Sequence, residues 1–552
     1  MKPRVSALLG ALAACGGCYD TDAFPPDDQA PPCGFADPQL ELEVEGPGRF
    51  RLRWTADPSG EVGHEQLIAH GPAGAAVLAL DPALPGEHTL AAPLHFGREL
   101  GYELRQCEDQ ACACVDTHLV APTAAQLRAA IDTLAPADLE ADNTFGTALS
   151  LDRDASHLAV GAPFMNADGE GVGLGSVRVY AWDAQLLGYQ PEALPLPDNL
   201  SSERRYGFSV AMDAAAEVML VGAPGGAGIE GRAYLFVRDA DQAWTLNDAS
   251  GLSDEDTSGR FGLDVAVSAD GDTIAVGAPR AGEAGEVAVY FRDTSLAWKA
   301  LPSVELPAAL ASGDGFGSAL ALDASGRRLA IAAPRQDALA EDGGAVYLYE
   351  RDASGQWQRE LEVGLDSAMA DDRFGSDLAL DGAGDLLVAS APGRGALLLC
   401  CQRESAWTCE QRELPRPEGL GEDDELGSAI ALSQDGQVLA VAARKDDSAL
   451  AGLDPIEALA APGEPEALAD AAADAGAVHV YPRLDRVGPA CGFASPAGEL
   501  RGHYVKAPAP AAYDQFGRAL AVSEAGESLA VGAYKRDGAG EAQANQGAAY
   551  VY

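Results

Sequence analysis

One pattern recurs seven times along this chain, and it leaves few folds open. It reads FGTALSLDRDASHLAVGAP from Phe145, YGFSVAMDAAAEVMLVGAP from Tyr206, FGLDVAVSADGDTIAVGAP from Phe261 and FGSALALDASGRRLAIAAP from Phe316. It continues as FGSDLALDGAGDLLVASAP from Phe374, LGSAIALSQDGQVLAVAAR from Leu426 and FGRALAVSEAGESLAVGAY from Phe516. Alternation such as Ala319-Leu320-Ala321-Leu322 has the period of a strand. A polar turn with glycine follows, then a second run, Leu329-Ala330-Ile331-Ala332, so each copy predicts a β-hairpin. A third strand rich in Val and Tyr comes next, as in RAYLFV, EVAVYF and AVYLYE. Trp244, Trp298, Trp357 and Trp407 mark a fourth strand in four copies.

Four antiparallel strands repeated seven times predict an all-β fold, a seven-bladed β-propeller over residues 123–552. Small residues (Ala319, Ala321) on one strand face and large ones (Leu320, Leu322) on the other suit blades packed face to face. The last copy stops after its third strand. The orphan stretch Ile131–Leu134 is expected to supply the missing outer strand and close the ring, although Leu127, Ile131 and Leu134 also fit a short helix.

The Phe-Gly and (V/I)-(G/A)-A-P motifs at this spacing resemble the FG-GAP repeat of the integrin α-subunit propeller and of many exported bacterial proteins. The resemblance covers roughly residues 124–552. The sixth copy departs from it, with Leu426 for the aromatic and insertions at about 445–475 and 484–500, expected as surface loops. Integrin-type blades often carry a calcium loop between their first two strands. Here those turns, DASGRR, SADGDT, SQDGQV and DRDASH, are about three residues short and offer too few oxygens for calcium. They read as tight hairpin turns, so no metal or other cofactor is expected. Residues 36–122 alternate through LELEVEG, FRLRWTAD and GYELRQC and resemble a fibronectin type III-like β-sandwich.

The N-terminus, MKPRVSALLGALAACGG, has Lys2 and Arg4 before an apolar run too short to span a bilayer. Leu12-Ala13-Ala14-Cys15 resembles a bacterial lipobox, which implies a signal peptide at 1–14 and acylation of Cys15; an ordinary secretory signal is the competing reading. The Pro-, Gly- and Asp-rich stretch 15–35 reads as a flexible tether. The chain is expected to be an exported bacterial lipoprotein at the outer membrane, on the cell surface or the periplasmic face, touching membrane only through that lipid. In an oxidising compartment, Cys107 with Cys112, and Cys400 or Cys401 with Cys409, are disulfide candidates.

Eighty-five acids against 37 bases give a net charge of -48, which argues against nucleic acid as partner. Catalytic motifs are scarce: there is no HExxH and no G-x-S-x-G. The G-x-G-x-x-G at Gly226, Gly228 and Gly231 opens no helix, and His157 and His479 read as packed or exposed in strands. The chain is therefore expected not to be an enzyme, and small apolar inner strands argue against a channel site. The long loops gather on one propeller face and carry Asp254, Asp256, Asp314, Asp371, Asp372, Asp423, Asp424 and Asp514, several just before a Phe-Gly pair. They predict an acidic recognition face for a protein or glycan ligand, against the plainer reading of a generally acidic surface. Adhesion is the leading expectation, with an envelope-assembly scaffold as the alternative.

Overall fold

The computed structural model describes the chain from Leu40 onward, apart from segments of which the longest are 414–423, 456–473 and 482–502. The expected signal peptide, Cys15 and the tether lie outside the described residues, as do Cys112, Asp254, Asp256, Asp423, Gly226, Gly228 and the insertion at 484–500. Two compact units are present, one reaching Ile131 and the other running from Asp132 to Val551.

The first unit holds two antiparallel sheets. One runs in the order Glu41–Gly46, Arg49–Arg53, Glu87–Ala91. The other runs Gly74–Leu78, His64–Gly71, Gly101–Cys107, Val115–Val120. Period-2 alternation turns Phe50 and Leu52 inward, fully buried, while Arg51 and Arg53 on the opposite face pair with Glu87 and Glu43.

In the second unit each sequence copy forms one antiparallel sheet whose strands pair in chain order. The fourth is typical: Leu320–Leu322, Arg328–Ala333, Ala345–Arg351 and Trp357–Val363. Trp244, Trp298 and Trp357 each begin a fourth strand, as expected, and Trp407 lies within one. The sixth sheet has five strands, because Leu453–Pro455, inside the expected loop insertion, pairs outside His503–Val505. The orphan stretch is a strand: Asp132–Leu134 pairs with Ala548–Val551, with Thr133 opposite Tyr550. It completes the sheet begun by Phe516–Val522.

The first strands touch in succession from sheet to sheet, and the strand Phe516–Val522 of the last sheet touches Ala148–Leu151 of the first, so the series closes on itself. The core lies between sheets. Leu320 and Leu322 pack on Ala266 and Ala275 of the preceding sheet. On the other face, Ala319, Ala330 and Ala332 receive Leu378 and Leu380 of the following one. Large into small is what two sheets need to approach closely, and each buried Leu contributes about 1.5–3 kcal/mol.

Two joints repeat around the ring. In the first, a glycine ahead of the third strand lies against the next landmark residue: Gly344 bridges Phe374, and Gly547 bridges Phe145. Both glycines have positive φ, and a Cβ at Gly547 would stand 2.0 Å from the Phe145 carbonyl oxygen. Only glycine fits there. Gly231, the last glycine of the dinucleotide-like motif, has the same task, for a Cβ on it would meet the Phe261 oxygen at 2.4 Å.

The second joint is a circuit of backbone hydrogen bonds between the tight turns of neighbouring sheets. The amide of Arg153 donates to Ala214, Ala214 to Ala269, Asp270 to Ala324, Ala324 to Gly382, Gly382 to Gln434, Asp435 to Glu524, and Glu524 back to Arg153. Each turn is also closed internally by its first polar side chain, which accepts the amide five residues on. Asp213 accepts from Val218 at 2.7 Å, Asp323 from Arg328 at 2.8 Å and Ser433 from Val438 at 2.9 Å. These carboxylates are spent on backbone amides, and Ser does the same work in three copies. The reading as hairpin turns follows from that substitution.

Candidate functional site

The loops after the second and fourth strands of each sheet meet on one face of the ring. The residue just before each landmark, from Thr144 to Gln515, has left-handed backbone in all seven copies. Two positions before the landmark, Asp314, Asp372 and Asp514 bend back to accept the amides of Ala311, Met369 and Ala511 at 2.7–3.0 Å. Asn143 does the same for Glu140.

Four aspartates, Asp314, Asp372, Asp424 and Asp514, are corrected as members of the expected acidic recognition face. Asp314, Asp372 and Asp514 are only 3 %, 2 % and 1 % exposed, and Asp424 is buried too. Their carboxylates cap turns, and Asp372 also lies 3.7 Å from Arg394. Burial pushes the Asp514 carboxyl up to about 6 and raises that of Asp314. Asp371 is exposed but pairs with Arg373 at 3.4 Å.

Arginines open onto this face as well. A cavity of about 340 Å³ lies at the junction of the third and fourth sheets, lined by Arg260, Arg280, Arg335, Ser312 and the backbone of Gly313 and Gly315 among others. Among the described residues no carboxylate lines it. An adjoining cavity of about 480 Å³ shares Pro334 and Arg335 and adds Asp342, Arg373 and Ser376. Arg280, Arg335 and Arg373 are exposed, and Arg260 is half-buried. Burial, followed by the charges of Arg280, Arg205 and Arg335, lowers the pKa of Arg260. Sequence reasoning missed this cluster, although aligning the copies on their landmarks shows the signal. Arg recurs just before the landmark at Arg205, Arg260 and Arg373, and just after Ala-Pro at Arg280 and Arg335.

The axis of the ring is not purely apolar either, which corrects the second expectation. Asp264 and Asp377 immediately precede the first strands Val265–Val267 and Leu378–Leu380 and are half-buried. Asp264 accepts the Leu320 amide at 2.7 Å, and Asp377 the Ile430 amide at 2.8 Å, so each ties its sheet to another. Burial, then the nearby Asp377 charge, pushes the Asp264 carboxyl up to about 7. Burial pushes Asp377 up to about 6, with Arg518 opposing it weakly. In the sixth sheet His479 is fully buried beside an ion pair between Lys506 and Asp446 at 2.7 Å, and Tyr504 donates to the same carboxylate. His157, by contrast, is bound to Asp152 at 2.8 Å in the first hairpin turn. A disulfide joins Cys400 to Cys409, directly opposite each other on adjacent strands; Cys401 is disulfide-bonded as well. Among the described residues no cluster of His, Cys, Asp or Glu is arranged to hold a metal, and no helix is long and apolar enough to cross a membrane.

The family described as FG-GAP repeat matches residues 505–552, the segment that includes the last landmark and the closing strands. The second unit is a propeller fold carrying that repeat. No curated protein matches the chain. Among solved structures, the periplasmic gluconolactonase of Pseudomonas aeruginosa is 14% identical with a TM-score of 0.40, covering 81% of this chain and 98% of its own. Hydrazine synthase of Kuenenia stuttgartiensis is 12% identical with a TM-score of 0.41, over 72% of this chain and 95% of its own. A Bacteroides uniformis protein provisionally assigned as a 6-phosphogluconolactonase is 12% identical with a TM-score of 0.41, over 81% and 98%. The expectation that the chain is not an enzyme does not stand. Proteins bearing lactonase names are among those its structure is similar to, and a lack of familiar catalytic motifs does not exclude catalysis. Their reactions remain theirs at this distance.

Proposed function

We propose that the chain is an exported, lipid-anchored binding protein that takes a protein or glycan ligand on the loop face of a seven-bladed propeller. The unbroken cycle of first-strand contacts supports seven blades, with Asp132–Leu134 as the strand that closes the last. The three-strand and four-strand sheet orders of the first unit support a fibronectin type III-like sandwich between tether and propeller. The acyl chain on Cys15 would hold the protein to the envelope, with residues 15–35 as spacer and adhesion as the task.

One observation carries the choice of face. Two adjoining cavities open there, and the apolar side chains of Phe164, Leu339, Met369 and Tyr513, all in loops of that face, are exposed. Arg205 stacks over Phe164 at 5.5 Å. Exposed apolar groups beside fixed charges are the composition of recognition surfaces. Protease treatment of intact cells tests the reading: cleavage within the propeller loops is expected, with release from the envelope on Cys15→Ala. A protein untouched on intact cells would sink the adhesion role.

A further inference from the structure

The cavity between the third and fourth sheets joins three features that turn stability alone does not require. Arg260, Arg280 and Arg335 converge on it, and none of the three side chains makes a hydrogen bond or ion pair among the described residues. In a chain of net charge -48 with 85 acidic residues, three unpaired guanidiniums in one cleft are a costly arrangement. Second, the left-handed position before the landmark, which every copy has, here carries Arg260. The fourth copy does place glycine at that position, Gly315, and with Gly313 it keeps side chains out of the cavity. Third, the carboxylate beside Gly315 is withdrawn: Asp314 is buried under its turn with its carboxylate on the Ala311 amide.

We propose that this cavity is a binding site for an oxyanion, a carboxylate or a phosphate group on a small ligand or on one unit of an acidic glycan. Planar guanidiniums grip such groups bidentately, and a site lined by one sign of charge concentrates the opposite sign. Ser312 offers a hydroxyl at the rim. The negative charge of the rest of the molecule repels the same ligand, so selectivity falls to these three side chains. The proposal rests on the reading of this face as the ligand face and narrows what that face takes.

Calorimetric titration of the full-length protein with glucuronate, inorganic phosphate and neutral glucose tests it. Binding of glucuronate or phosphate is expected, and whichever binds identifies the oxyanion; glucose should give no heat. Arg260→Gln with Arg335→Gln should weaken binding by about tenfold or more, and Arg335→Lys less. If the double variant fails to fold, Arg280→Gln, at an exposed side chain, gives the same reading. Absence of binding to both anions, or unchanged binding in the variants, overturns the site. Retention of envelope material is measured alongside. Retention without anion binding overturns the oxyanion site while the face reading stands. Anion binding without retention supports the site and removes the adhesion reading.

Discussion

The backbone amide of Phe145 donates to the carbonyl of Gln546 at 3.0 Å, joining the first landmark of the repeat array to its last turn. The same bond runs from Phe316 to Ala284, from Phe374 to Gly343 and from Phe516 to Ala475, at 2.9–3.0 Å. The closing joint is therefore built like the internal ones. A ring closed by its ordinary joint has no weak seam, and the edges its sheets keep along the first strands are short and protected.

Gly547→Ala should destabilise the protein severely. The new Cβ would stand 2.0 Å from the Phe145 oxygen at a φ of +88°. A loss of about 2–4 kcal/mol is expected, read as a fall in the urea midpoint. An unchanged midpoint would show that the seam is not packed as described.

Asp323→Ala should cost about 1–3 kcal/mol by leaving the Arg328 amide without its acceptor. The cost should be the same with and without millimolar calcium. A calcium-dependent gain in wild-type stability that disappears in the variant would return these turns to metal binding.

Asp264 and Asp377 make stability depend on pH in a definite direction. Their folded carboxyls titrate at about 7 and about 6, above the usual carboxylate range. Between roughly pH 4 and 7 the unfolded chain releases these protons while the folded one keeps them, so their contribution is lost as pH rises. Asp264→Asn should stabilise by on the order of 1–2 kcal/mol at pH 8 and leave stability at pH 4 nearly unchanged. A variant destabilised equally at both values would contradict this.

His479 works in the opposite direction over much the same pH window. Burial holds its pKa down to about 4, with neither ring nitrogen hydrogen-bonded among the described residues. From about pH 6.5 down to 4 the unfolded chain takes up a proton that the folded one refuses, so stability falls on acidification. His479→Phe should flatten that part of the thermal-midpoint profile. A profile that keeps its slope would place the acid sensitivity elsewhere.

The hairpins were legible because alternation, turn glycines and the recurring tryptophans are local signals. The closing strand was legible because a missing fourth strand at one end matched an orphan at the other. The role of Asp314 was not, because a carboxylate two residues before Phe316 looks exposed until the Ala311 amide is seen beneath it. Arg260, Arg280 and Arg335 belong to two neighbouring copies and meet only once the sheets stand side by side. Asp264 escaped notice because it occupies a position where every other copy except that of Asp377 carries Ser or Ala. Its partner, the Leu320 amide, comes from the next sheet.

Everything proposed for the loop face depends on the ring being closed, and residue-resolved hydrogen exchange of the intact protein tests closure most directly. The Phe145 amide should exchange as slowly as those of Phe316 and Phe374, and should lose that protection when residues 546–552 are removed. A Phe145 amide that exchanges at the rate of an open loop in the intact chain would contradict the closed ring.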